Sequence, residues 1–151
     1  MGCGKGFETG NCVCDILKDI VDAQTDVVEN CCDTSCEQSI SDLLGERDSG
    51  NGLDTVPVIL YCKDSCKPFK GYGAHPNDIG HMTSSFFFRV KSVDKDCCAT
   101  LELLRDPNDA DKDPKSPVHQ CTEPLLATGI CLTVDLNCFC HVTCLPAVNA
   151  L

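Results

Sequence analysis

Basic residues are scarce in this chain. Lys and Arg number 12 against 23 Asp and Glu in 151 residues, a formal charge of −11. A surface that acidic repels phosphate backbones, so nucleic acid is not an expected partner. Long apolar runs are missing too. No stretch approaches the roughly 18–20 apolar residues of a spanning helix, so no membrane partner is expected. The chain opens Met-Gly-Cys-Gly-Lys-Gly-Phe-Glu-Thr-Gly-Asn, without the apolar stretch of an export signal. Synthesis in a reducing cytosol is therefore expected. Gly6 stands where a myristoylation motif wants Ser or Thr. Gly2, Gly4 and Lys5 lack the spacing to the Gly-Lys-Ser/Thr ending of a phosphate loop. No Gly-x-Ser-x-Gly element occurs, and no histidine is tied by spacing to one thiol. The expectation is a protein that is not an enzyme and carries no cofactor.

Cysteine is abundant instead, with 15 in the chain. Such a load suits an oxidising compartment, which the opening residues do not provide for. Either the thiols bind metal, or the protein meets oxidant later without being secreted. The hydrophobic fraction of 42% is enough for a folded core.

The apolar pattern predicts a mainly β fold: a β-sandwich-like single domain with one N-terminal amphipathic helix and a mobile cysteine-bearing arm. The arm is expected over residues 1–14 and the domain over 15–151, with the helix at 15–30 and the β-rich part at 56–145. Ile16, Leu17, Ile20, Val21, Val27 and Val28 recur at helical spacing, a stripe that should pack on a core or on a neighbouring subunit. A short helix is possible at 37–44. Val56–Cys62 reads as a strand, and a short one is expected near Phe69–Tyr72. Ser85–Val93 and Cys97–Leu104 alternate around an Asp94-Lys95-Asp96 turn and predict a hairpin. Phe86, Phe88 and Val90 fall on one face with Arg89 and Lys91 on the other, Ala99, Leu101 and Leu103 face the same core, and Glu102 lies near Arg89 or Lys91 on the wet side. Residues 106–117 read as an exposed acidic loop. The two-residue period of Ile130–Leu145 is too long for one strand, so two strands joined by a bend or bulge near Asn137 are expected.

An odd cysteine count leaves one over if all the others pair. Cys3, Cys12 and Cys14 lie in or beside the arm, and Cys98 and Cys131 lie on polar parities. These five are the candidates for intermolecular disulfides. Cys97, Cys138, Cys140 and Cys144 lie on apolar parities and are the candidates for buried thiols or internal bridges. Cys31, Cys32, Cys36, Cys62, Cys66 and Cys121 stay undecided. The adjacent pairs Cys31-Cys32 and Cys97-Cys98 are too strained to bridge themselves. Three Cys-x3-Cys pairs (Cys32/Cys36, Cys62/Cys66, Cys140/Cys144) keep a zinc-binding or thiol-buffering protein as the alternative. Calcium at Asp109, Asp111 and Asp113 is disfavoured, because Pro114 and Gln120 stand where a loop glycine and a bidentate Glu belong.

The segment Ile130-Cys-Leu-Thr-Val-Asp-Leu-Asn-Cys-Phe-Cys-His-Val-Thr-Cys-Leu145 resembles the closing signature of the CotY/CotZ/ExsY family of Bacillus spore coat and exosporium proteins. So do Phe86-Phe-Phe-Arg-Val-Lys-Ser-Val-Asp94 with Cys98-Ala-Thr-Leu-Glu-Leu-Leu-Arg105, Asn11-Cys-Val-Cys-Asp15, and Asp54-Thr-Val-Pro57. The likeness runs through most of the chain in order and is weakest at 37–53, 63–83 and 106–128. His141 replaces a small apolar residue of the family. The resemblance implies a structural protein of the spore surface, in the outer coat or exosporium, made in the mother-cell cytoplasm. It also implies self-assembly into a two-dimensional, hexagonal lattice hardened by disulfides. The expected partners are further copies of the chain, as a hexamer in an extended lattice, and other spore coat or exosporium proteins.

Overall fold

Alternation of apolar and polar residues from Phe88 to Arg105 builds the centre of the fold. In the computed structural model of the chain, residues 10, 12–25, 32–49 and 52–151 are described. They fall in two compact units, residues 1–32 and 33–151.

The first unit holds helix α1, Cys12–Thr25. Residues 12–14 are thus helical rather than part of an arm. The remainder of the expected arm (1–9 and 11) and the expected helical turn at 26–30 lie outside the described residues. Ile16, Leu17, Ile20 and Val21 remain exposed. Among the described residues of this unit nothing covers the stripe, so its expected packing on a core is not met. Val13, Leu17 and Val21 line a shallow apolar strip along the helix.

The second unit opens with α2, Cys36–Ser49. Ser35 caps it: its Oγ accepts the Gln38 N–H at 3.0 Å, satisfying one of the free donors of the first turn. Seven strands follow: β1 Val58–Cys62, β2 Gly71–Gly73, β3 Thr83–Ser85, β4 Phe88–Val93, β5 Cys98–Arg105, β6 Leu126–Asp135 and β7 Phe139–Cys144. All pairings are antiparallel. Five strands form one sheet in the order β6-β5-β4-β1-β7, and β2 and β3 form a second, smaller one. The fold is mainly β, as the sequence pattern predicts.

The large sheet is strongly curled. β6 and β7 are its outer strands, yet only the three-residue 3-10 turn Leu136–Cys138 joins them. A flat five-stranded sheet would hold its outer strands about 19 Å apart, while three residues of 3-10 turn advance about 6 Å. The curl occurs at the β1–β4 seam, where Val58 and Phe88 are the matched pair. It folds the β1–β7 ribbon over the face of β4–β5–β6. Val58, Leu60, Phe88, Ala99, Leu101, Leu103 and Ile130 meet in the resulting core, with Phe69, Leu132, Val134 and Phe139 packed against it. The small sheet lies close by. A Cβ added to Gly71 would come within 2.8 Å of Phe88 and 3.0 Å of Leu132, so only glycine admits this approach.

Several local expectations change. Phe86 leaves the face of Phe88 and joins Phe87, Ile59, Leu104, Leu125 and Ala150 in a second core on the other side. Val90 is exposed. Glu102 does face Arg89 across the hairpin and lies 4.0 Å from Lys91, but it is buried, 5% exposed, not wet. Its carboxylate accepts the Gly129 N–H at 2.8 Å, which replaces water at one oxygen.

The acidic segment is exposed at most positions, as its composition suggests, but not throughout. Asp106, Asp109 and Pro114 are buried. Asp109 is buried beside Arg105, itself buried at the end of β5. Its guanidinium donates to the Ser84 and Asp111 carbonyls and lies 3.7 Å from Asp109. A charge taken out of water requires such compensation, and the segment wraps the cation to supply it.

Candidate functional site at a cysteine-rich pole

Three turns meet at one end of the curled sheet, and each carries cysteine. The first follows β1. Cys62 N–H donates to the Lys67 carbonyl, and Cys66 N–H donates to the Cys62 carbonyl, both at 2.9 Å. The chain reverses over Lys63–Cys66, with Cys66 at φ +57°. The second turn joins β4 to β5. Asp94 Oδ1 accepts the N–H groups of Asp96 and Cys98, each at 2.9 Å. Cys97 N–H closes the turn on the Asp94 carbonyl at 3.1 Å, and Cys97 has φ +64°. Glycine is the usual occupant of such left-handed turn positions. A residue with a Cβ costs about 1 kcal/mol there, so both turns carry backbone strain.

The third turn is Leu136–Cys138, where Asp135 accepts the Asn137 N–H at 2.9 Å. It binds both of the others. Leu136 N–H donates to the Cys97 carbonyl at 2.9 Å, and the Cys138 carbonyl accepts the Lys63 N–H at 2.8 Å. β7 begins next to Cys62. The register shifts between Tyr61 and Cys62, and Cys140 sits at this bulge with its Sγ 3.8 Å from the Cys62 carbonyl. Cys62 is half-buried, while Cys66, Cys97, Cys98, Cys138 and Cys140 are exposed, and all six are free thiols. Beside them runs a groove of about 590 Å³ with Phe69, Leu132, Val134 and Phe139 in its wall and Cys62 and Cys138 at its rim.

This placement corrects the parity reading. Cys97, Cys138 and Cys140, expected buried or internally bridged, are exposed and free. Parity holds only inside a strand. Cys97 lies in a turn, Cys138 in the 3-10 turn, and Cys140 at a bulge, where alternation breaks down. Cys144 is bonded to Cys36, which ties α2 to β7. Ser39 strengthens the same attachment, its hydroxyl donating to the Leu145 carbonyl at 2.8 Å.

The remaining cysteines are scattered. Cys12, counted among the candidates for bonds between chains, is already disulfide-bonded within the chain. Its position in the first turn of α1 rather than in an arm is the physical difference. Cys14 is half-buried and Cys32 exposed. Cys131 is exposed and pairs with Glu102 across β5 and β6, as Cys98 of the pole pairs with Asp135. Cys121 is exposed, and its backbone N–H donates to Asp109 Oδ2 at 3.1 Å. Desolvation, then the charge of Asp109, push its thiol above the ordinary cysteine range. Cys3 and Cys31 lie outside the described residues. Among the described residues no three His, Cys, Asp or Glu side chains come together in a way that could hold a metal ion.

His141 stacks on Tyr61 with ring centroids 4.2 Å apart, which gives its ring a packing role. Sequence reasoning left Cys66 undecided and missed the special backbone at Cys66 and Cys97. A turn signal was present at Asp94, whose side chain caps the loop.

The chain matches the family described as spore coat protein Z over residues 1–147. It is similar to Spore coat protein Z of Bacillus subtilis (strain 168), with 34% identity over 149 residues, covering 91% of this chain and 90% of that protein. No solved structure matches it.

Proposed function

Because the chain belongs to the spore coat protein Z family, we propose that it is a structural protein of the spore surface that assembles into a two-dimensional lattice hardened by disulfides between copies. The observation that carries the finer part is the exposure of so many free thiols, six of them at one pole, on a chain that also forms an internal disulfide. Non-covalent association comes first, in closed rings that pack into a sheet. The charge of −11 keeps subunits apart in solution until then. Thiols then oxidise between neighbours, so dissociation ceases to be an equilibrium matter and resistance becomes kinetic. Synthesis in the mother-cell cytoplasm, with oxidation around its lysis, accounts for the cysteine load. The spore's outer coat or exosporium is the layer of assembly, alongside other coat proteins.

Electron microscopy of the purified chain with and without reductant, beside a non-reducing gel, tests this. Ordered sheets or rings in both conditions, with a covalent ladder only without reductant, are the expected result. A monodisperse monomer in both conditions overturns the proposal, and stoichiometric zinc in that monomer would establish the metal-binding reading instead.

A further inference from the structure

The six thiols at the pole are free, and among the described residues they do not converge as a metal-binding group. Two of them stand at the tips of hairpins, Cys66 and Cys97, both exposed and both fixed by a left-handed backbone. Both tips are pinned to the same short Leu136–Cys138 turn.

The tips differ in charge. Around Cys66 stand Lys63, Asp64 and Lys67, two positive charges against one negative. Around Cys97 stand Asp94, Lys95 and Asp96, one positive against two negative. Like tips brought together repel, and unlike tips attract. Since both sit at one pole, a two-fold axis can set each positive tip against the negative tip of a second copy, both at once. A two-fold contact has this reciprocity by construction.

We infer that the pole is an isologous contact between two copies of this chain, closed by two reciprocal disulfides from Cys66 of each copy to Cys97 of the other. The inference rests on the reading of disulfides between chains given above and assigns their residues. In each bond two S–H bonds break and one S–S bond forms. The two electrons and two protons pass to dissolved dioxygen, which leaves as hydrogen peroxide. A dimer closed in this way cannot extend itself, so lattice growth falls to other surfaces.

The test uses the full chain, half of it labelled with nitrogen-15, mixed under reductant and then oxidised in air. Trypsin releases Cys66 in the peptide 64–70 and Cys97 in the peptide 96–105. The expected product is these two peptides linked, one light and one heavy. Two variants, Cys66→Gly and Cys97→Gly, keep both turns, since glycine adopts these angles freely. Each alone should lose the linked pair. Mixed together they should regain it in heterodimers, because each supplies the thiol that the other lacks. Mixed-isotope disulfides confined to other cysteines, and unaffected by either variant, overturn the inference but leave disulfides between chains standing. The same two peptides linked only light to light and heavy to heavy show a bond within the chain and overturn it as well. No mixed-isotope disulfide of any kind overturns both this inference and the reading beneath it.

Discussion

Cys36, at the start of α2, is bonded to Cys144, at the end of β7, although 108 positions separate them. The helix has a weak claim on the sheet otherwise. Ile40 and Leu44 are exposed, and the Ser39 hydroxyl on Leu145 is the polar contact that reinforces the bond. Covalent closure of so long a loop limits the freedom of the unfolded chain, a stabilisation of about 2–4 kcal/mol in typical proteins.

Replacing Cys36 or Cys144 by Ser should therefore lower unfolding stability by about 2–4 kcal/mol. The shift in the denaturant midpoint measures it. Reductant should produce at least a similar fall in the unaltered chain and a smaller one in the variants, which keep the bond at Cys12. An equal effect of reductant on both would place the loss in another disulfide.

Acid should weaken the fold through Asp109. Burial opposes its ionisation, but N–H groups from Asp111 and Cys121 and the charge of Arg105 outweigh burial and hold the carboxyl below its ordinary value of 3.8. A carboxyl lowered in the folded state contributes its full stability above the unfolded pKa. It loses that contribution as pH falls through the folded value. Asp113, lowered by Lys70 and then Ser84, adds in the same direction. Melting temperature should hold down to about pH 4 and fall below it. Asp109→Asn should be less stable at neutral pH and show a shallower acid limb.

Crowding at Gly71 gives a third expectation. Alanine there would push against Phe88 at 2.8 Å, Leu132 at 3.0 Å and Leu103 at 3.2 Å. All three belong to the first core or pack against it, so the small sheet must shift outward. Gly71→Ala should cost about 1–3 kcal/mol. Gly45→Ala, with open space around the added Cβ, serves as the control and should not destabilise.

Cys121 should be slow to react for an exposed thiol. Desolvation, then Asp109, raise its pKa, and the thiolate is the reactive form. Timed alkylation near neutral pH with peptide mapping should find Cys121 modified after Cys131. Asp109→Asn should narrow that gap without closing it, because desolvation, the larger cause, remains.

Much of the sheet was legible in the sequence because alternation is a direct record of which face is wet. The hairpin through Asp94–Asp96 and the bend near Asn137 both came from that record, and both are present. The short helix at 37–44 lies within α2. The record stops where the period stops. Cys97, Cys138 and Cys140 were counted on past the ends of regular pairing, and each is exposed for that reason. Within the acidic segment, which is exposed at most positions as expected, the burial of Asp109 was not legible for a different reason. It is buried beside Arg105, a cation contributed by the preceding strand, and composition does not show which charge a loop encloses. At α1 the apolar stripe was correctly helical, but periodicity does not reveal what, if anything, covers a face.

The bond between Cys36 and Cys144 has a further consequence for a protein placed on an exposed surface. Nearly every turn of the second unit lies between those two residues. A protease that cuts once within that span, at Lys115 for example, opens the ring without producing two separate pieces. Both ends stay attached through sulfur, and the core strands on either side of the cut remain paired. Shedding a fragment then takes a second cut or a reductant. A layer made of such subunits tolerates isolated nicks without losing mass.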